Sequence, residues 1–308
     1  MMRICCAFPT GSEAALWAET LRRALPSATV YVWTEEVPAA DYAVVWQPSQ
    51  AFLDAQSGVK AIFNTGAGVD ALLQSRLPVG ARLIRLEDAG LAEQMSDYVS
   101  HAVLHHFREF DTYAEHARAG RWAKCAPREK SSFPVGIMGF GILGQAAAKA
   151  LHNLGFDVCV WARSPRQADN VRLFVGDGAL DPFLASSRIL VCLLPLTPAT
   201  SGILCKATFE KLQPNPYVIN PARGGHLVND DLLAAIRDGT IAGATLDVFD
   251  QEPLPEAHPL WREPRIRITP HISASRLRGP VAAQIAGKIA DMEAGKPVTG
   301  VIDLTKGY

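Results

Sequence analysis

"VGIMGFGILGQAAAKAL", Val135 to Leu151, runs from a short apolar stretch through three glycines into a helix-like pattern. Gly139, Gly141 and Gly144 fit G-x-G-x-x-G, with Ile142 and Leu143 inside the turn. A glycine triplet alone is a weak signal; placed after a strand and at the opening of a helix it is a strong one. The first glycine permits the tight turn. The second lets the backbone approach a pyrophosphate, and the third lets the helix lie close on the strand. This stretch predicts a dinucleotide-binding βαβ unit, and with it a doubly wound parallel sheet.

Working outward, strand-like runs alternate with helical patterns along the chain: "RICCAF", Ser12 to Ala24, "TVYVW", "YAVVW" and "VKAIF" upstream, and "DVCVW", "SRILVCLL", "PYVIN", "IAGATLDVF" and "RIRITPH" downstream. That alternation is the signature of parallel α/β sheets. A long helical stretch is predicted from Glu93 to Arg118, and a last helix from Pro280 to Ala294. Another glycine turn, "FNTGAGVDALL" from Phe63 to Leu73, comes first in the chain, about seventy positions ahead of the Gly139 turn. Glycine turns at helix starts present backbone N–H groups to anions, so two turns suggest two anionic ligands, or one ligand and a pocket facing it.

The chain has 308 residues, which favours two domains. Its composition is 48% apolar, and 30 basic residues against 31 acidic ones leave a net charge of −1. This balance gives no footprint for nucleic acid or a membrane surface. The amino-terminal "MMRICCAF" reads as a first strand rather than a signal peptide, and the run Ile189 to Leu194 is too short to span a bilayer. Six cysteines show no C-x-x-C spacing, which suggests a reduced cytoplasmic protein without a structural metal.

An enzyme that selects NAD places Asp or Glu at the end of the second strand, on the ribose 2′-hydroxyl. Here the strand ends "VCVWARSPR": Ala162 stands in the acid's place, and Arg163, Ser164 and Arg166 follow. Asp157 lies at the beginning of that strand, on the far edge of the sheet. Arginines pair well with a 2′-phosphate, so NADP (NADPH) is the preferred cofactor, with NAD as the alternative if these arginines are only solvated surface.

Three further segments end strands where an open α/β sheet binds its ligand. They are "VINPARGG" with Arg223, "GATLDVFDQEPLP" with Asp247 and Glu252, and "ITPHIS" with His271. One Arg, one Glu and one His behind a dinucleotide turn are the parts that hydride chemistry on a keto acid requires.

In the order "GFGILG", "NPARGG", "LDVFDQEPL", "TPHIS", the chain resembles the D-2-hydroxyacid dehydrogenase family over essentially its whole length. "VWQP", "GAGVD", "RLEDAGLAEQM" and the terminal "GY" look most like its bacterial glyoxylate/hydroxypyruvate reductase A group. The resemblance implies a Rossmann domain, residues 99–273, inserted into a flavodoxin-like substrate domain made of residues 1–98 and 274–308. It implies NADPH-dependent reduction of a small 2-keto acid, glyoxylate or hydroxypyruvate, by a homodimer. Arg223, Glu252 and His271 are then catalytic. Arg223 would bind the carboxylate and polarise the keto oxygen. His271 would be the general acid, and Glu252 on its ring would favour the imidazolium. Substrate contacts fall to Trp46, Ala67, Gly68, Arg223 and His271. The cofactor would rest on the Gly139 to Gly144 turn, Arg163, Ser164, Arg166, Pro195 and Asp247, the last facing the nicotinamide end.

Several readings stay open at this level. Trp46 serves either core packing or substrate; Arg276 and Arg278 each qualify for a substrate contact; and "CAPREKSSF" matches the family poorly. A different keto-acid specificity is one alternative function. A dinucleotide-sensing binding protein on the same scaffold is another, disfavoured by the intact Arg, Glu and His.

Overall fold

The computed structural model describes residues 1–66, 68–165 and 171–304, so Ala67, Arg166 and the terminal "GY" lie outside the described residues. The chain divides into two compact units, Met1–Gly90 with Arg276–Tyr308, and Leu91–Ser275.

In the first unit, strands β1 (Arg3–Ala7), β2 (Thr29–Val32), β3 (Tyr42–Val45), β4 (Ala61–Asn64) and β5 (Arg82–Ile84) form a parallel sheet in the order β2-β1-β3-β4-β5. This is the flavodoxin-like order, with a switch point between β1 and β3. Every residue of β3 and β4 is buried, as expected of central strands covered on both faces. Alternate residues Cys5, Ala43, Val45, Ile62 and Leu83 pack on Phe52, Leu53 and Leu72. The helix Gly11–Ala24 is stopped at its start by Thr10, whose hydroxyl accepts from the Glu13 N–H.

The second unit carries β6 (Val135–Met138), β7 (Val158–Ala162), β8 (Arg172–Val175), β9 (Ile189–Cys192), β10 (Tyr217–Asn220), β11 (Gly243–Leu246) and β12 (Ile266–Ile268). Their order is β12-β11-β10-β9-β6-β7-β8, all neighbours parallel, with the crossover between β6 and β9 that defines a doubly wound sheet. The period of two separates the faces cleanly. Ile137, Val160, Val191 and Ile219 join Val99, Val103, Ala147 and Leu151 on one side. Met138, Trp161, Leu190 and Val218 join Phe183, Leu232 and Ile236 on the other. Two layers of helices therefore bury one sheet.

The stretch predicted as one helix from Glu93 to Arg118 is two, Leu91–Phe107 and Phe110–Arg118. The break is at Glu109, whose backbone is left-handed at φ 56°. Arg128 explains the stop: it pairs with the Glu109 carboxylate at 2.6 Å and donates to the His106 carbonyl at 3.2 Å. Strands β5 and β8 carried no strong alternation, β8 being an edge strand with no buried residue. Cys5, Cys6, Cys159 and Cys192 are buried free thiols, and Cys125 and Cys205 are partly exposed. Among the described residues no helix is long and apolar enough to cross a membrane, and no group of three or more His, Cys, Asp or Glu is placed to hold a metal.

Candidate active site

Each glycine of the second turn has a different neighbour. Gly139 has φ +101°, and a Cβ there would lie 2.6 Å from the Leu193 carbonyl oxygen. At Gly144 a Cβ would fall 2.1 Å from the Gly139 oxygen, so helix Ile142–Asn153 sits on β6 only because that side chain is missing. A Cβ on Gly141 would meet nothing within 4 Å. Gly141 is also the N-cap, and no side chain caps the helix there. Tight turn, close packing and an uncapped, open helix start are the features of an anion cradle, and they fit a pyrophosphate.

Strand β7 delivers the buried Ala162 at its end, followed by the exposed Arg163 and Ser164. No carboxylate stands at that position. After β9, Pro195 offers its carbonyl to the Thr200 hydroxyl at 2.7 Å, which closes the loop on itself.

Strands β10, β11 and β12 are neighbours, so the loops leaving their carboxyl ends are neighbours too. Arg223 follows β10 and is partly buried, its Nη1 donating to the Ala222 carbonyl at 2.6 Å. Asn220 shapes that turn: its amide donates to the Arg223 carbonyl at 2.9 Å and its Oδ1 accepts from Ala222 N at 3.2 Å. Gly224 lies directly on the next loop, where a Cβ would come within 2.0 Å of the Phe249 carbonyl carbon.

That next loop carries Glu252. One carboxylate oxygen accepts from Phe249 N at 2.9 Å and the other meets His271 Nδ1 at 2.7 Å. A carboxylate only accepts, so Nδ1 is the donor and Nε2 is the nitrogen left to face a reactant. His271 has a left-handed backbone, φ 54°, uncommon for a residue with a Cβ. Asp247, fully buried, is the group that holds this loop. Its oxygens accept from the Thr269 hydroxyl at 2.6 Å, Ile272 N at 2.9 Å and Ser273 N at 2.8 Å. Its carbonyl accepts from His271 N at 2.8 Å.

Thr269, Tyr98 and Asn220 were not singled out by sequence reasoning. Tyr98 shares a hydrogen bond with Thr269 at 2.6 Å, which extends the chain of contacts from Asp247, and burial pushes the phenol well above its usual range. "TPH" and "NPAR" contained the available signals: a hydroxyl two residues before the histidine and an asparagine three before the arginine.

The first unit holds the other glycine turn. Asn64, ending β4, donates to the carbonyls of Gly66 at 2.9 Å and Gly68 at 2.8 Å. Trp46, just past β3, lies on this turn, and a Cβ at Gly66 would come 2.3 Å from its ring. Arg276, not Arg278, is the arginine against Trp46, with its guanidinium carbon 4.3 Å from the ring centroid.

Residues 100–273 match the D-isomer specific 2-hydroxyacid dehydrogenase, NAD binding domain family model. The chain belongs to the D-isomer specific 2-hydroxyacid dehydrogenase family. It is 43% identical to the glyoxylate/hydroxypyruvate reductase A of Yersinia enterocolitica and 45% identical to that of Serratia proteamaculans, covering 96% of this chain and 97% of each relative. Its structure is similar to the D-isomer specific 2-hydroxyacid dehydrogenase of Xanthobacter autotrophicus, solved in complex with NADPH and MES, with TM-score 0.93, 36% identity and 100% and 99% of the two chains covered. It is equally similar to the NADPH-dependent glyoxylate/hydroxypyruvate reductase of Sinorhizobium meliloti, solved with NADP and sulfate, with TM-score 0.94, 34% identity and 100% of both chains covered. Membership in this family makes the protein an oxidoreductase with a Rossmann-type domain, the doubly wound sheet described above.

Proposed function

We propose that this protein is an NADPH-dependent reductase of small 2-keto acids such as glyoxylate and hydroxypyruvate, with His271 as the general acid. The observation that carries the reading is the Glu252–His271 pair at 2.7 Å, which joins the loops after β11 and β12 beside the β10 loop that carries Arg223. The relatives named for glyoxylate and hydroxypyruvate, and those solved with NADP or NADPH, support the substrate class and the cofactor.

The unit Leu91–Ser275 is read as the dinucleotide-binding half and the other as the substrate half. The turn from Gly139 to Gly144 would hold the pyrophosphate. Arg163 and Ser164, with Arg166, would hold the 2′-phosphate, and Pro195 and Asp247 belong to the same proposed set. When bound, the reduced nicotinamide supplies the hydride. Arg223, a permanent cation with a planar fork, binds the substrate carboxylate and draws electron density toward the keto oxygen. His271 gives its Nε2 proton to that oxygen as charge develops, while Glu252 holds the ring in place through Nδ1. Trp46, Ala67 and Gly68 are the proposed substrate contacts of the other unit.

Initial rates with NADPH and NADH over glyoxylate, hydroxypyruvate and bulkier 2-keto acids test the assignment. Reduction with NADPH is expected, and His271→Ala should lower kcat by about 10²-fold or more, the scale of a lost general acid, with dinucleotide binding nearly intact. Wild-type turnover in that variant would remove His271 from the chemistry.

A further inference from the structure

We propose that Arg276 is a positioning residue that holds the Trp46 indole against the first glycine turn and so restricts the enzyme to 2-keto acids with a small substituent. The proposal rests on the substrate-binding reading of Trp46 and Gly68 and deepens it.

Three segments meet at this arginine. Nη2 donates to Glu13 Oε1 at 3.2 Å, in the first turn of helix Gly11–Ala24. Nη1 donates to the Thr65 hydroxyl at 3.2 Å, at the start of the glycine turn. The guanidinium plane is left to cover Trp46, 4.3 Å from the ring centroid. The side chains of Arg276 and Glu13 are only 26% and 29% exposed, so water screens the contact weakly. Glu13 is itself fixed by its backbone bond to the Thr10 cap.

The indole has little freedom left under this load. Its ring edge occupies the place where a side chain on residue 66 would be, and it follows β3 immediately before Gln47, a left-handed residue at φ 45°. Arg278, two residues on, is exposed at the first position of the last helix and shares none of these partners. An apolar wall held against a carboxylate-binding turn limits what can extend from the keto carbon. Lysine in place of Arg276 would keep the charge but lacks the fork that reaches Glu13 and Thr65 while the plane covers a ring.

The test compares the native protein with Arg276→Met, Arg276→Lys, Trp46→Phe and Arg276→Met/Trp46→Phe. Kinetics with NADPH use glyoxylate and phenylpyruvate, and acrylamide quenching of the Trp46 emission is isolated by difference from Trp46→Phe. Arg276→Met should lower the preference for glyoxylate over phenylpyruvate roughly tenfold, the scale of one desolvated cation–π contact. The change should come through KM rather than kcat. Trp46 emission should become more quenchable, Arg276→Lys should restore the preference only in part, and the second substitution should add nothing in the Trp46→Phe background. An unchanged preference with unchanged quenching overturns the proposal, as does a full effect of Arg276→Met without Trp46. If Arg276→Met does not fold, Glu13→Gln loosens the same cation while the stack remains, and the same two readouts decide. Failure of the native protein to reduce any keto acid would defeat the functional reading and the selectivity with it, while the quenching comparison would still decide whether Arg276 holds Trp46.

Discussion

Asp247→Asn isolates the group that holds the histidine loop. The substitution keeps size and shape but turns one acceptor oxygen into a donor inside a site with no solvent exposure. All three groups that face the carboxylate are donors: Thr269 Oγ1, Ile272 N and Ser273 N. The cheaper orientation of the amide sets its NH₂ against Ser273 N and keeps the other two bonds. It loses one charge-assisted bond and leaves a buried N–H without an acceptor, a cost of about 2–4 kcal/mol. For a unit of this size that lowers the unfolding transition by roughly 5–15 °C. His271 N still reaches the Asp247 carbonyl, so the loop is loosened rather than released. We expect kcat to fall about 10- to 100-fold, with KM for NADPH nearly unchanged, as for a general acid displaced on the order of 1 Å. Differential scanning calorimetry and steady-state kinetics on the same preparations supply both numbers. An unshifted transition with a raised KM for NADPH would refute the loop-holding argument and leave Asp247 as a cofactor contact alone.

Arg223→Lys keeps the charge and loses the fork, so kcat/KM for the keto acid should fall about 10²-fold, and equal kinetics would make Arg223 structural. Replacing Arg163 and Arg166 together by Ser should remove most of a roughly tenfold preference for NADPH over NADH, through KM for NADPH; a native enzyme that uses NADH equally well would sink the 2′-phosphate assignment. His106 lies stacked on Tyr217, and burial, with Arg128 and Arg188 nearby, pushes its pKa down from 6.5 to about 4. The unfolded chain therefore binds this proton more readily than the folded one, and stability is lost as pH falls from 6.5 toward 4, by on the order of 3 kcal/mol. His106→Phe keeps the stack and should flatten that part of the stability–pH curve in urea titrations; an identical slope would assign the loss to other groups.

The sheet order was not legible in the sequence, but the strand-and-helix alternation that produces it was. Each central strand is a run of apolar residues between polar turns, and such runs declare themselves. Strand β8 did not, because an edge strand with no buried residue carries no burial pattern. The helix break at Glu109 depends on Arg128, nineteen residues away in the chain, and local periodicity cannot register such a partner. The site was legible in the same uneven way. Arg223, Glu252 and His271 stand out because charged residues at strand ends have few structural reasons to be there. Asp247 stood out too, but its carboxylate's engagement with Thr269, Ile272 and Ser273 was hidden, since those are backbone and hydroxyl donors that any sequence contains. Arg276 and Arg278 were indistinguishable until Glu13 and Thr65, more than 200 positions earlier, were found beside the first.

The loops after β10, β11 and β12 brace one another, which ties together the three charged residues proposed for the site although each leaves a different strand. Asn220 turns the chain so that Gly224 rests on Phe249 and Asp250, with no room for even a methyl group between them. Phe249 N then fixes one oxygen of Glu252, which leaves the other for His271, while Asp247 at the root of the same loop grips Thr269, Ile272 and Ser273 around that histidine. A displacement of any one loop is passed to the next through backbone contact rather than through a long side chain. Asn64 performs the same service in the other unit, where its amide draws the carbonyls of Gly66 and Gly68 to one side; the planar trans peptide then turns the N–H of Val69 to the other. In both units an asparagine at a strand end sets the backbone of the residues proposed to receive an anion.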